Sequence, residues 1–166
     1  MSQLDAQPPA TFWSTADSPV GELLLVTRGE ALTQVGFAPF DPPDGDRLDD
    51  HGVLAAARDQ LAEYFAGDRE VFELPLAPQG TDFRQAVWAE LRKIPYGTTT
   101  TYGAIANRMG LTGHGARAVG HANGSNPIAV VVPCHRVVGR DGSLTGYGGG
   151  IERKRALLAL EHSALF

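Results

Sequence analysis

The stretch Pro127-Ile128-Ala129-Val130-Val131-Val132-Pro133-Cys134-His135-Arg136-Val137-Val138 constrains this chain more than any other. Residues Ile128 to Val132 have no polar break, which fits a strand buried on both faces better than a half-exposed one. Pro133 fixes its own φ and offers no N–H to a ladder, so strand pairing is expected to stop there. The only cysteine of the protein follows at once, at the mouth of the core, with a histidine and an arginine beside it. The thiolate is the reactive form of cysteine, and a neighbouring imidazole or cation lowers a thiol pKa from about 8.5 towards neutrality. These residues leave two readings of Cys134 open: a small buried hydrophobe, or a nucleophile served by His135.

With 166 residues the chain can bury a substantial core as one domain or two small ones. A lone cysteine forms no intrachain disulfide and leaves no cysteine cluster for a structural zinc, so a reducing, intracellular (cytoplasmic) compartment is expected, with no metal and no cofactor. No apolar segment of membrane-spanning length is present, and residues 1–9 lack the pattern of a signal peptide. The net charge of -5 argues at first against a nucleic-acid partner, but it is unevenly placed. Residues 1–80 hold 14 Asp/Glu against 4 Lys/Arg, whereas residues 81–166 hold 5 against 10. The second half can face a polyanion that the first cannot.

Along the chain, Thr11 to Ser14, Glu22 to Thr27 and Ala31 to Phe37 read as short strands of an antiparallel sheet, separated by turn residues. Pro39 to Asp50, with five aspartates and three prolines, has the composition of a loop. Val53 to Phe65 carries a helical apolar stripe, and Val71 to Leu76 is expected to return as a strand. Pro78-Gln79-Gly80 marks the expected boundary between a domain at 1–78 and a domain at 79–166. Thr81 is placed to cap a helix bearing Phe83, Val87, Trp88 and Leu91. Two short helices follow, one over Tyr102 to Met109 and one over Ala116 to Asn123, across a glycine-bearing link. That is helix-turn-helix spacing, which structural helical hairpins share. The second of these helices has small residues and one long cation, Arg117, a pattern that suits either a nucleic-acid groove or close helix packing. Gly139 to Gly150 holds six glycines and reads as a loop lining a pocket near Cys134. In the last helix, Ile151 to Glu161, Glu161 falls between Leu157 and Leu158 on the core side, where a carboxylate needs a partner such as His135 unless the helix end frays. The fold expected is α/β in two parts: a small antiparallel sheet with a helix, then a mainly helical domain with helix-turn-helix and active-site loop.

Pro133-Cys134-His135-Arg136-Val137, preceded by Arg117-Ala118-Val119-Gly120 and Asn126-Pro127, resembles the O6-alkylguanine-DNA alkyltransferases, also called methylated-DNA–protein-cysteine methyltransferases. The likeness extends to Ile94-Pro95-Tyr96-Gly97, Tyr102, Gly146-Tyr147 and Leu157-Leu158-Ala159-Leu160-Glu161. It implies DNA repair by irreversible, one-turnover transfer of an alkyl group from O6-alkylguanine, with O4-alkylthymine as a further substrate, in double-stranded DNA, by a protein needing no obligate partner. By this resemblance Cys134 accepts the alkyl group, His135 deprotonates it through a bridging water, and Glu161 polarises the imidazole. Asn126 braces the active-site turn, and Tyr102 bonds a guanine ring nitrogen and helps protonate the leaving base. Arg117 replaces the flipped nucleotide in the duplex, in a helix whose Ala118 and Gly120 permit close approach to DNA. Val137, Tyr147 and Gly148 close the substrate pocket, Gly148 through its main chain, because some relatives carry serine there. A non-catalytic lesion-binding protein of the same fold and a thiol hydrolase are the alternatives. The former replaces the acceptor cysteine that this chain keeps, and the latter must release its covalent intermediate to water.

Overall fold

A computed structural model describes residues 7–163. Strands β1 (Thr11–Ala16), β2 (Leu23–Arg28) and β3 (Ala31–Phe37) form an antiparallel meander, and the two-residue β4 (Asp46–Arg47) adds in parallel to the far side of β1, giving the order β3-β2-β1-β4. The aspartate-rich segment, expected as loop throughout, therefore contributes a short edge. Arg47 accounts for it: its guanidinium bonds Asp49 and Thr15 and lies over the Trp13 ring, which pins the segment to β1. Helix α1 (Gly52–Phe65) covers the sheet with Leu54, Ala57, Leu61 and Tyr64, all buried, and ends at Gly67 in the left-handed region (φ 82°) that glycine adopts without penalty.

The remaining chain is mainly helical: α2 (Asp82–Leu91), α3 (Tyr102–Arg108), α4 (Gly115–Gly124) and α5 (Ile151–Ser163). Thr81 and Thr101 cap α2 and α3, accepting from the N–H groups of Arg84 and Ala104. Helices α3 and α4 pack together as the helical hairpin expected, and the Trp88 indole of α2 donates to the Ala122 carbonyl, fixing α4 from behind. The two-residue strands β5 (Thr100–Thr101) and β6 (Val137–Val138) pair in parallel across the active-site turn.

Two expected strands do not form. Val71 to Leu76 makes only a single bridge, Leu76 to Leu32. In Ile128 to Val132 only Ile128 bridges, to Val35; the rest coils into turns, although all five residues are buried. A continuous apolar run specifies burial, and periodicity cannot separate a strand from a buried turn. Both segments meet the open edge of β3, whose Leu32 and Val35 exchange main-chain hydrogen bonds with Pro75, Ala77, Pro127 and Ala129. Apolar residues from the sheet, α1, α2, α4, α5 and the Ile128–Val132 turns form one continuous core, so the first half of the chain buttresses the segment that presents Cys134.

Candidate active site

The turns before Cys134 are tightly determined. Val130 has φ 69°, a conformation unfavourable for a β-branched residue, and such strain persists only where the surroundings enforce it. Asn126 supplies much of the enforcement: its amide nitrogen donates to the carbonyls of Val132 (2.9 Å) and Ile128 (3.4 Å), and its oxygen accepts from the Ile128 N–H (3.1 Å). One turn of 3-10 helix, Cys134–Arg136, follows Pro133, where strand pairing was expected to stop. Cys134, His135 and Arg136 are all buried as a result.

Glu161 of α5 receives the turn. Its Oε2 accepts from His135 Nε2 (2.7 Å), the Tyr64 hydroxyl (2.6 Å) and Arg136 Nη2 (3.0 Å), and its Oε1 accepts from Arg136 Nε (2.8 Å). Burial pushes this carboxyl up, but the hydrogen bonds and charges of His135 and Arg136 outweigh it and hold Glu161 at about 2. An ionised carboxylate is acceptor-only, so the His135 proton sits on Nε2 and Nδ1 carries the lone pair. That Nδ1 is buried and has no partner among the described residues. Burial lowers the His135 pKa against the opposing pull of Glu161, which keeps the ring neutral and able to take a proton. Helix α5 does not fray at this end; the core side of the helical wheel gave the right position for Glu161, which is 1% exposed.

The thiol is 4% exposed and borders a cavity of about 180 Å³, walled by Gln34 to Phe37 of β3, Asn123, Asn126 and the loop residues Tyr147, Gly148 and Gly149. Burial pushes the Cys134 thiol up, while Asn126, the Lys154 ammonium and the Tyr147 hydroxyl pull the other way. The expectation that His135 and Arg136 lower this pKa in the resting protein is thus not met. His135 Nε2 and the Arg136 Nε and Nη2 groups bond Glu161, and desolvation dominates at the thiol. Lys154 is the unforeseen cation. It is wholly buried on α5, donates to the carbonyls of Val137 and Thr145, and stands near enough to Cys134 for the two charges to stabilise one another.

Residues 11–78 match the 6-O-methylguanine DNA methyltransferase ribonuclease-like domain, and residues 82–163 match the DNA-binding domain of the same family. A methylated-DNA–protein-cysteine methyltransferase of Mycobacterium tuberculosis is 52% identical over 153 residues, 91% of this chain and 92% of its own length. A counterpart from Haemophilus influenzae is 44% identical over 156 residues, 92% of this chain and 87% of its own. The crystal structure of Mycobacterium tuberculosis OGT in complex with DNA superposes with a TM-score of 0.85 at 50% identity, covering 92% of this chain and 94% of that one. The chain belongs to the 6-O-methylguanine DNA methyltransferase family.

For a methyltransferase of this family, five of the other residues singled out in the sequence fall into two places. Tyr102, Arg117 and Gly120 line a shallow, open groove with Ala116, His121, Thr145 and Gly146; Arg117 is exposed there, and the Tyr102 hydroxyl donates to the Thr145 carbonyl (3.1 Å). Gly120 faces the Tyr102 ring, where an added Cβ would make an ordinary van der Waals contact at 3.8 Å, so α4 could pack there with alanine as well. Tyr147 and Gly148 line the Cys134 cavity, with Phe37 edge-on to Tyr147. Val137 lines neither; it is fully buried, and its carbonyl is taken by Lys154. Ala118 is half-buried on α4 and lines neither cavity. The sequence reading missed the pairing of Arg136 with Glu161, and it missed Lys154, Tyr64 and Asn123, whose amide nitrogen donates to the Cys134 carbonyl (3.4 Å). A signal existed for Arg136, a cation inside an apolar run with a carboxylate expected in the same core. None existed for Tyr64, 97 residues from its partner.

Proposed function

We propose that this methyltransferase repairs DNA by moving the O6-alkyl group of guanine onto Cys134. The observation that carries the residue assignment is the buried His135–Glu161 pair next to the buried Cys134, in which the base is neutral, held by a carboxylate, and has one ring nitrogen without a partner among the described residues. His135 Nδ1 takes the thiol proton, relayed by a water as the family resemblance implies, and Glu161 stabilises the resulting imidazolium. The sulfur attacks the alkyl carbon in line; the S–C bond forms as the C–O6 bond breaks, and the electron pair passes into the guanine ring, where Tyr102 helps to supply a proton. Lys154 and the Tyr147 hydroxyl favour the thiolate as it develops. The product is a thioether, which water does not cleave, so one molecule acts once. A reducing, cytoplasmic setting suits a protein whose action needs its one free thiol.

In this reading residues 79–166 bind duplex DNA and accept the alkyl group, while residues 1–78 brace them. Intact-mass analysis after incubation with a duplex carrying one O6-methylguanine should show a gain of one methyl per protein. Cys134→Ala should gain none yet still bind the duplex. Repeated turnover by single molecules would overturn the proposal.

Arg117 is exposed at the groove, where it can enter a duplex and hold the place of an extruded base. Arg117→Ala should slow repair of duplex DNA by about tenfold or more while leaving transfer from free O6-benzylguanine, which needs no extrusion, within about twofold. Equal slowing on both substrates would remove the residue from that role.

A further inference from the structure

We propose that Tyr64, on α1 in the first half of the chain, is a positioning residue for the alkyl-transfer reaction: its hydroxyl fixes Glu161 and sets how strongly Glu161 holds the His135 imidazole. The inference rests on the function proposed above and adds the first half of the chain to the machinery of the nucleophile. Three donors converge on Glu161 Oε2, and Tyr64, at 2.6 Å, makes the shortest contact. A carboxylate that shares its charge among several donors is a weaker acceptor for each. The Tyr64 hydroxyl therefore draws electron density away from the His135 bond, and with it some of the basicity that Glu161 confers on the ring.

The surroundings make Tyr64 a permanent donor. It is fully buried, with its ring against Phe65, Phe72 and Tyr96, and both burial and the adjacent Glu161 charge push its pKa up, so it keeps its proton at every working pH. The charged and titratable groups around the imidazole are Glu161, Arg136, Lys154 and the adjacent Cys134, and those around Tyr64 are Glu161, Arg136 and Tyr96; Tyr96 in turn feels Glu161, Glu70 and Arg136. The Arg136 guanidinium lies over the Tyr96 ring (5.6 Å to the centroid), so the aromatic cluster also seats the cation that pairs with Glu161.

The test is Tyr64→Phe, which keeps the ring and removes only the hydroxyl. Relieved of one donor, Glu161 should hold the imidazolium more tightly, and the His135 pKa read from ring nitrogen shifts by NMR should rise by about half a unit to one unit. The rate of Cys134 alkylation by free O6-benzylguanine should then fall about three- to tenfold on its acid limb and stay within about twofold on its neutral plateau. Tyr96→Phe is the control. Its hydroxyl is buried and has no hydrogen-bond partner among the described residues, so its loss should leave the His135 titration in place. If Tyr64→Phe lowers Tm while the His135 titration and the pH–rate profile stay unchanged, Tyr64 is structural only and the proposal falls. If wild-type protein takes no alkyl group while its His135 titration still moves on Tyr64→Phe, the proposed function fails and the coupling stands.

Discussion

Arg136→Met is expected to cost about 3–5 kcal/mol of folding stability, because it strips the main counter-charge from a carboxylate that is 1% exposed. In a chain of this size that is a fall in Tm of roughly 6–20 °C. Arg136 makes two bonds to Glu161 and a third to the Ile94 carbonyl, so a methionine of similar length fills the space but leaves three buried acceptors short of a donor. The variant should also unfold at higher pH in acid. In the wild type Glu161, held at about 2 against an ordinary 4.5, contributes stability that is fully present above 4.5 and is lost as pH falls through about 2. His135, whose pKa is lowered from 6.5, adds to the acid sensitivity, because below that value the unfolded chain takes up a proton that the folded ring resists. Without Arg136 the Glu161 pKa rises and its share of stability disappears sooner. Arg136→Met combined with Glu161→Leu should regain part of the loss, since a buried pair replaced on both sides costs less than one broken. Thermal melts of the three proteins from pH 7 to pH 4 decide it, and a single variant within 1 kcal/mol of wild type would show that Arg136 does not carry the charge of Glu161.

This pair also shows what could be read before the structure. The three-residue vocabulary Cys134, His135, Glu161 was legible because two of its members are adjacent and the third breaks the apolar face of a helix. Strand and helix positions were legible wherever a period of two or 3.6 ran for a turn or more, as in β3, α1 and α5. The shape of Ile128 to Val132 was not, because it depends on a side chain outside the run: Asn126 satisfies main-chain groups that a strand partner would otherwise take, and so permits the Val130 turn. Nor was the sign of the Cys134 shift. Sequence adjacency suggested an imidazole and a guanidinium that lower the thiol pKa, yet in the 3-10 turn His135 Nε2 and the Arg136 guanidinium bond Glu161, and desolvation dominates at the thiol. Tyr64 and Lys154 reach the site by packing alone, Tyr64 from the far half of the chain and Lys154 from α5.

Lys154→Met should slow alkylation of Cys134 by about tenfold or more at every pH on the neutral plateau. In the resting protein burial holds the thiol protonated, so the barrier includes the cost of forming a thiolate in a buried site, and a cation close by lowers that cost alongside Asn126. Lys154 is a cation whose charge favours the thiolate, and it bears its own penalty for burial, which the developing thiolate offsets. Methionine removes the charge at nearly the same length and frees the Val137 and Thr145 carbonyls, so the loop carrying Tyr147 loses an anchor as well. The two effects separate by substrate. Loss of charge slows a small reagent such as iodoacetamide and an alkylated duplex alike, whereas loss of loop order slows only the duplex, which must be gripped. The acid limb should move little, because Lys154 donates to main-chain carbonyls and takes no part in the hydrogen bond between His135 and Glu161. That distinguishes it from Tyr64→Phe, which should move the limb and spare the plateau. Equal iodoacetamide rates for wild type and Lys154→Met across pH 6 to 9 would mean that the ammonium only ties main-chain carbonyls, and that the thiolate is stabilised by the Tyr147 hydroxyl and Asn126 without it.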